Sequence, residues 1–295
     1  MNPQPTPPQK IPIHNKLSMT KQHLPPTTWR LIHTSPAPGP WNMAVDSAIL
    51  ESVGRGDVLP TLRLYAWDPP CLSLGYAQPI IDVDQDRLRK RGWDLVRRPT
   101  GGRAILHADE LTYAAIGPKE EPRLCGGVRE SYRRLSQALL KALHTLSLPV
   151  QAINKAGEDI DRKQPICFEY PSDYEITVNG KKLIGSAQAR KKEGVLQHGS
   201  LPLSGDLTRI TQVLRFTSEK KRAQAASRLL EKATNVESVL NLPVSWDQAA
   251  QAFAQAFQEV LNIDFIKEDL TPTEKQRARD LIEETYGQAG WTEKS

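Results

Sequence analysis

The chain has 295 residues, 39% hydrophobic and 25% charged, which allows one large globular domain or two small ones. Its 39 Lys and Arg against 34 Asp and Glu leave a net charge of +5, favouring acidic partners; basic residues are spread along the chain and aromatics make up only 6%, which argues against nucleic acid. Three cysteines, Cys71, Cys125 and Cys167, form no zinc or disulfide pattern and suit a reducing compartment, and neither a secretory core nor the roughly 18 consecutive apolar residues of a membrane span occurs, so a soluble cytoplasmic protein is expected.

Residues 1–27 hold seven prolines among polar side chains, too little apolar surface to offset the entropy of ordering, and read as a disordered tail. Met19 lies inside it and offers a second candidate start. Trp29–His33 is a short strand pattern, and Pro40 opens a helix whose Trp41, Ala44, Val45, Ala48 and Ile49 keep helical spacing to about Gly54. Strand-like runs at Thr61–Trp67 and Cys71–Gly75 flank an Asp-Pro-Pro break, and Asp84 caps a helix through Arg91. Strand signals continue to residue 117. A long amphipathic helix then follows Gly126-Gly127 to about Ser147, with Tyr132, Leu135, Leu139, Leu140 and Leu143 on one stripe.

Tyr174–Val178 and Lys182–Ala187 read as strands joined by Asn179-Gly180, the favoured two-residue hairpin turn, and Val195–Leu203 as a further strand. Helices are expected at 206–215, 218–232, 245–261 and 272–286. The strands come in two blocks with hairpin connections, which predicts an α+β fold with a mixed or antiparallel sheet flanked by helices. The division expected is a tail over 1–27, a catalytic domain over 28–244 and a small helical extension over 245–295.

Four segments carry chemistry. Around Gly101-Gly102, glycines let the backbone approach a ligand, and Arg97, Arg98 and Arg103 crowd one turn, with His107 on the strand that follows; taken alone, this is equally a hairpin with solvated arginines. Cys167 stands in a polar, proline-broken stretch, accessible to become a nucleophile once its thiolate is stabilised. Lys181 and Lys182 must point to opposite faces of a strand; the inward one needs an anion, and Gly185, Ser186 and Ala187 leave room for a ligand chain. His198-Gly199 interrupts an apolar strand, as a satisfied core histidine or a site residue.

In order, RRPTGGRAILH, CFEYPSDYEI and GKKLIGSAQARKKEGVLQHGSL resemble the catalytic domain shared by lipoate–protein ligases, biotin ligases and octanoyltransferases, over roughly Trp29 to Leu240. The segment CFxxPSxYE is similar to the LipM-type octanoyltransferases, whose acyl-accepting cysteine and activating lysine stand fifteen positions apart. That spacing falls on Cys167 and Lys182 here. The resemblance implies a biotin/lipoate ligase-type fold and transfer of octanoyl from octanoyl-acyl carrier protein, through a cysteine thioester, to a lysine of an apo lipoyl domain such as the glycine cleavage H protein, without metal or other cofactor. It implies an acyl pocket lined by Arg98, Gly101, Gly102, Arg103, His107, Gly185, Ser186, Ala187, His198 and Gly199, an oxyanion held by backbone N–H groups at Gly101-Gly102 or Gly185, and an arginine cluster that steers acidic partners. An ATP-dependent lipoate–protein ligase, a transferase between two lipoyl domains and a non-enzymatic carrier-domain binder are the alternatives.

Overall fold

A computed structural model of the protein describes residues 24–153, 166 and 175–294. The tail expected before Leu24 and the candidate nucleophile Cys167 lie outside the described residues.

A six-stranded mixed sheet organises the molecule. It is built from β1 (Thr27–His33), β2 (Thr61–Tyr65), β6 (Glu110–Gly117), β10 (Gly185–Arg190), β11 (Val195–Pro202) and β12 (Ile263–Lys267), in the order β10-β11-β6-β2-β1-β12. β1 pairs parallel with both β2 and β12, and the other neighbours are antiparallel. Every residue of β6 and β11 is buried, because both faces of the sheet are covered. α3 (Val128–Thr145) and α6 (Trp246–Leu261) cover one face, where Leu135, Leu139 and Leu143 meet Phe253 and Phe257 over Leu62, Leu64 and Tyr113. On the other lie α1 (Gly39–Arg55) and α7 (Pro272–Leu281), with Ala44, Ala48 and Ile49 against Ile32, Ala114 and Ile116. α1 ends at Gly56, left-handed at φ 77°.

A small sheet, β4 (Asp94–Arg97), β3 (Cys71–Leu74) and β5 (Ile105–His107), leans on the α1 side in the order β4-β3-β5, followed from β3 by α2 (Gln85–Lys90), whose N-cap Asp84 accepts from the Arg87 N–H at 3.1 Å. A third sheet orders β7 (Gln151–Ile153), β8 (Glu175–Val178) and β9 (Lys181–Lys182). Asn179 and Gly180 both take positive φ, 50° and 76°, as a two-residue turn matched to strand twist requires.

Several boundaries differ from expectation. The strand read over Lys182–Ala187 is split: Leu183 and Ile184, both buried, break the two-residue alternation, and the chain leaves the hairpin after Lys182 to join the large sheet at Gly185. The helix expected at 206–215 is a 3₁₀ stretch, Leu207–Gln212, and that expected at 272–286 continues past Leu281 as a wider π turn, Ile282–Tyr286. Between α4 (Glu219–Lys232) and α6 stands a short α5 (Val236–Leu240), and the last helical turn is α8 (Ala289–Thr292).

The segment after 245, read from the sequence as an extension, is built into the core. α6 supplies Phe253 and Phe257, β12 extends the sheet beyond β1, and Arg30 of β1 donates to both carboxylate oxygens of Glu274 on α7, at 2.6 and 3.1 Å, with both side chains buried.

Candidate active site

Strand alternation decides what faces the space between the large sheet, α1 and the small sheet. On β11, His198 and Ser200 point into it and Gly199 points away; on β6, Thr112 points in and Tyr113 out. The result is a small cavity of about 20 Å³. Its wall includes six residues expected from the sequence, Arg98, His107, Gly185, Ala187, His198 and Gly199, joined by Met43, Tyr65, Trp67, Ser73, Ile105, Thr112 and Ser200.

Four expected pocket residues are placed elsewhere. Ser186 faces the opposite side of β10, sharing a 2.8 Å hydrogen bond with the Tyr113 hydroxyl. Gly199 serves that face: a Cβ on it would come within 2.5 Å of Ser186 Oγ and 2.7 Å of Tyr113 Cε1. Gly101 and Gly102 are exposed, Gly102 with φ 98°, and Arg103 is half-buried.

Arg97 and Arg98 belong to the interior rather than to a docking surface. Arg97 and Arg98 are 0% and 2% exposed, and their guanidinium groups are occupied by backbone carbonyls. Arg98 donates to Gly101 O and Arg103 O at 2.9 and 2.7 Å and to Ser73 O and Oγ at 3.1 Å, so it shapes the glycine loop from within. Buried carbonyls, which need donors inside the protein, partner these guanidinium groups in place of the acidic proteins the resemblance implied.

Two buried histidine–carboxylate pairs stand at the cavity. His107 Nδ1 lies 2.7 Å from Glu110 Oε1, which also accepts from the hydroxyls of Thr112 at 2.5 Å and Ser200 at 2.8 Å; His107 Nε2 shares a 2.7 Å hydrogen bond with Ser73 Oγ. Trp67 stacks on the His107 ring at 4.1 Å and donates its Nε1–H to Thr112 Oγ1. Burial pushes the Glu110 carboxyl upward, but the charge and hydrogen bond of His107, with the two hydroxyls, outweigh it and hold the group below the ordinary value. Glu110 is therefore the acceptor for the hydroxyls of Thr112 and Ser200 and the partner of His107 Nδ1.

His198 is the second. Its Nε2 is 2.7 Å from Thr100 Oγ1 and its Nδ1 3.5 Å from Asp46 Oδ2. Burial lowers the His198 pKa despite Asp46, leaving a neutral imidazole at pH 7. Asp46 is itself buried, which would raise it, yet Arg63 at 2.7 Å and His198 hold it below its ordinary value; the Tyr65 hydroxyl also donates to it at 2.9 Å. Asp46, Arg63 and Glu110 escaped the sequence reading. Their signal was present as charged residues inside otherwise apolar, periodic segments.

Of the two hairpin lysines, Lys182 is the inward one, 4% exposed, with Nζ 3.2 Å from Glu175 Oε1; Lys181 reaches the carbonyl of Leu230. Lys182 stands three residues before the cavity-lining Gly185. Ile166, next to Cys167 in sequence, is buried and forms an isolated parallel bridge with Ala104, the residue before the cavity-lining Ile105.

Among the described residues, no helix is long and apolar enough to cross a membrane. A family profile described as the lipoyl protein ligase A/B catalytic domain matches residues 38–258. The chain is 41% identical over 271 residues to the octanoyltransferase LipM of Symbiobacterium thermophilum, covering 90% of this chain and 98% of that protein. It is likewise 41% identical over 260 residues to the octanoyltransferase LipM of Kyrpidia tusciae, covering 86% and 95%. In structure it is similar, with a TM-score of 0.76 and 27% identity over 90% of this chain and 96% of the other, to a bipartite lipoate protein ligase from Thermoplasma acidophilum described with its E2 lipoyl domain. The chain therefore belongs to the lipoyl protein ligase A/B catalytic-domain family and, within it, to the LipM-type octanoyltransferases.

Proposed function

We propose that the chain carries an octanoyl group from octanoyl-acyl carrier protein, through a thioester on Cys167, to a lysine of an apo lipoyl domain, in the cytoplasm. The observation that carries this reading is a buried lysine, Lys182, three residues in sequence from the wall of a cavity lined by Gly185, Ala187, His107 and His198. The sequence places Cys167 fifteen positions before that lysine and directly after Ile166, which is held at the edge of β5.

In the first half-reaction the Cys167 thiolate, favoured by the Lys182 ammonium, attacks the carbonyl carbon of the donor thioester. The carbon–sulfur bond to the carrier breaks, and the carrier departs as a thiol after taking up a proton. In the second, the neutral ε-amine of the acceptor lysine attacks the enzyme thioester. An amide forms, the Cys167 sulfur leaves as thiolate, and the amine's extra proton passes to a base. A thioester is a high-energy acyl donor relative to an amide, so no ATP is consumed. Backbone N–H groups at Gly101, Gly102 or Gly185 are the candidate donors to the oxyanion of each tetrahedral intermediate. Arg98, His107 and His198, fixed by buried partners, hold the pocket's shape and bind no free charge.

Incubating the purified protein with octanoyl-loaded carrier, with and without ATP, and weighing the intact chain tests the reading. An octanoyl adduct without ATP, lost in Cys167→Ser and discharged by an apo lipoyl domain, is the expected result. Labelling that needs ATP and ignores Cys167→Ser would point to a lipoate ligase instead.

A further inference from the structure

The glycine loop beside the cavity is tied to the far end of the chain through Arg97. This guanidinium, 0% exposed, donates Nη1 to the carbonyls of Gly75, Tyr76 and Gln78 at 2.9, 3.0 and 2.6 Å. Its other edge donates to Trp291 O at 3.1 Å, Thr292 O at 2.9 Å and Lys294 O at 2.8 Å. In return, Trp291 donates its indole N–H to Arg97 O at 2.9 Å. The Trp291 ring packs edge-on against Tyr76 and Tyr286, and Lys294 Nζ lies 3.6 Å above Tyr76 and 3.7 Å above Trp291.

What Arg97 gathers on its inner side is the support of the site. The Tyr76 N–H donates to Thr100 O at 2.8 Å, and Gly75 touches the next turn so closely that a Cβ there would lie 2.0 Å from Gly102 O. Thr100 in turn holds His198 in the cavity wall. A continuous set of contacts thus runs from Trp291 through Arg97, the 75–78 turn and Thr100 to His198. No described carboxylate pairs with Arg97, so its buried charge depends on carbonyls, several of them supplied by residues 291–294.

We propose that Trp291–Lys294 form a strap which, through Arg97, sets the Thr100–Gly102 loop and the ring of His198, making Trp291 and Arg97 positioning residues for the acyl transfer. The strap lies beyond residue 258, where the family profile ends. Its catalytic meaning rests on the function proposed above, whereas its mechanical meaning does not.

Two variants of the full chain separate these. Trp291→Phe keeps the ring contacts and removes only the N–H to Arg97 O, while Trp291→Ala removes both. Octanoyl transfer is expected to fall about tenfold or more in kcat/KM for Trp291→Ala, carried mainly by KM for the octanoyl carrier, with Trp291→Phe in between, since small misplacements of positioning groups carry effects of this order or larger. Hydrogen exchange at the Tyr76 amide is expected to quicken in the same order. Unchanged exchange at Tyr76 in a folded Trp291→Ala protein would overturn the proposal, as would a loss of activity that merely tracks the unfolded fraction. If the unmodified chain moves no octanoyl group, the function fails and the exchange measurement still decides on the strap.

Discussion

Lys182 Nζ and Glu175 Oε1 lie 3.2 Å apart, both buried, on the hairpin whose turn is Asn179-Gly180. The lysine proposed to stabilise the Cys167 thiolate is thus also bound to a carboxylate, and the two roles come apart under mutation. Lys182→Ala leaves the Glu175 carboxylate buried beside one fewer cation, and unfolding free energy is expected to fall by about 3 kcal/mol. Adding Glu175→Gln should recover much of that stability in urea titrations while octanoyl transfer stays lost. Recovery of transfer as well would show that Lys182 serves only the fold.

Acid sensitivity should trace to His198. Burial sets its folded-state pKa below the ordinary 6.5, so between those two values the unfolded chain binds the proton and the folded chain does not. Stability therefore declines as pH falls from 6.5 toward the folded value. In His198→Gln that component vanishes, leaving the one from His33, whose pKa burial and Lys267 also lower, before the carboxylates titrate, with Glu110 and Asp46, both held below their ordinary values of 4.5 and 3.8, losing their contribution as they protonate. Melting temperatures from pH 7 to 4 compare the two profiles; identical slopes would remove His198 as the cause.

Gly199→Ala tests the tight face of β11. The added methyl would approach Ser186 Oγ, Tyr113 Cε1 and Gly185 O at 2.5, 2.7 and 2.8 Å, and two of those neighbours are hydrogen-bonded to each other. A loss of about 1–3 kcal/mol is expected, the usual cost of overpacking, with β10 displaced at the wall that Gly185 and Ala187 supply. Wild-type stability would mean that β10 gives way freely.

Glu274→Ala should destabilise more than any surface change on α7, by about 3 kcal/mol, because it leaves the buried Arg30 guanidinium with the Thr61 hydroxyl and a Glu268 carboxylate 4.0 Å away in place of a two-oxygen partner. Glu274 also accepts from the Thr271 N–H at 2.8 Å, so the helix loses its capping box as well. Calorimetry on the pure variant reads the effect.

Local signals carried the elements that depend on local chemistry. Asn179-Gly180 made its turn, Asp84 capped its helix, and Lys181 and Lys182 faced opposite sides as alternation demands, with Lys182 inward as the family resemblance implied. What stayed hidden depends on distant partners. Arg97 and Arg98 looked like a patch for acidic proteins because the carbonyls that hold them come from turns up to 197 residues away. Asp46 lies in a helix that reads as apolar, and its partners Arg63, Tyr65 and His198 come from two other strands. Strand β12 is a short run of mixed character whose pairing with β1 no local pattern announces.

That pairing constrains how the protein comes into being. β1 lies between β2 and β12, and its Arg30 awaits a carboxylate 244 positions further on, so the first strand to leave the ribosome is among the last to be completed. Contacts of such separation make folding slow, and a chain growing from its N-terminal end exposes a half-paired β1 throughout synthesis. Premature termination before β12 would therefore move the sheet edge from the short β12 to the buried, apolar β1, a template for self-association.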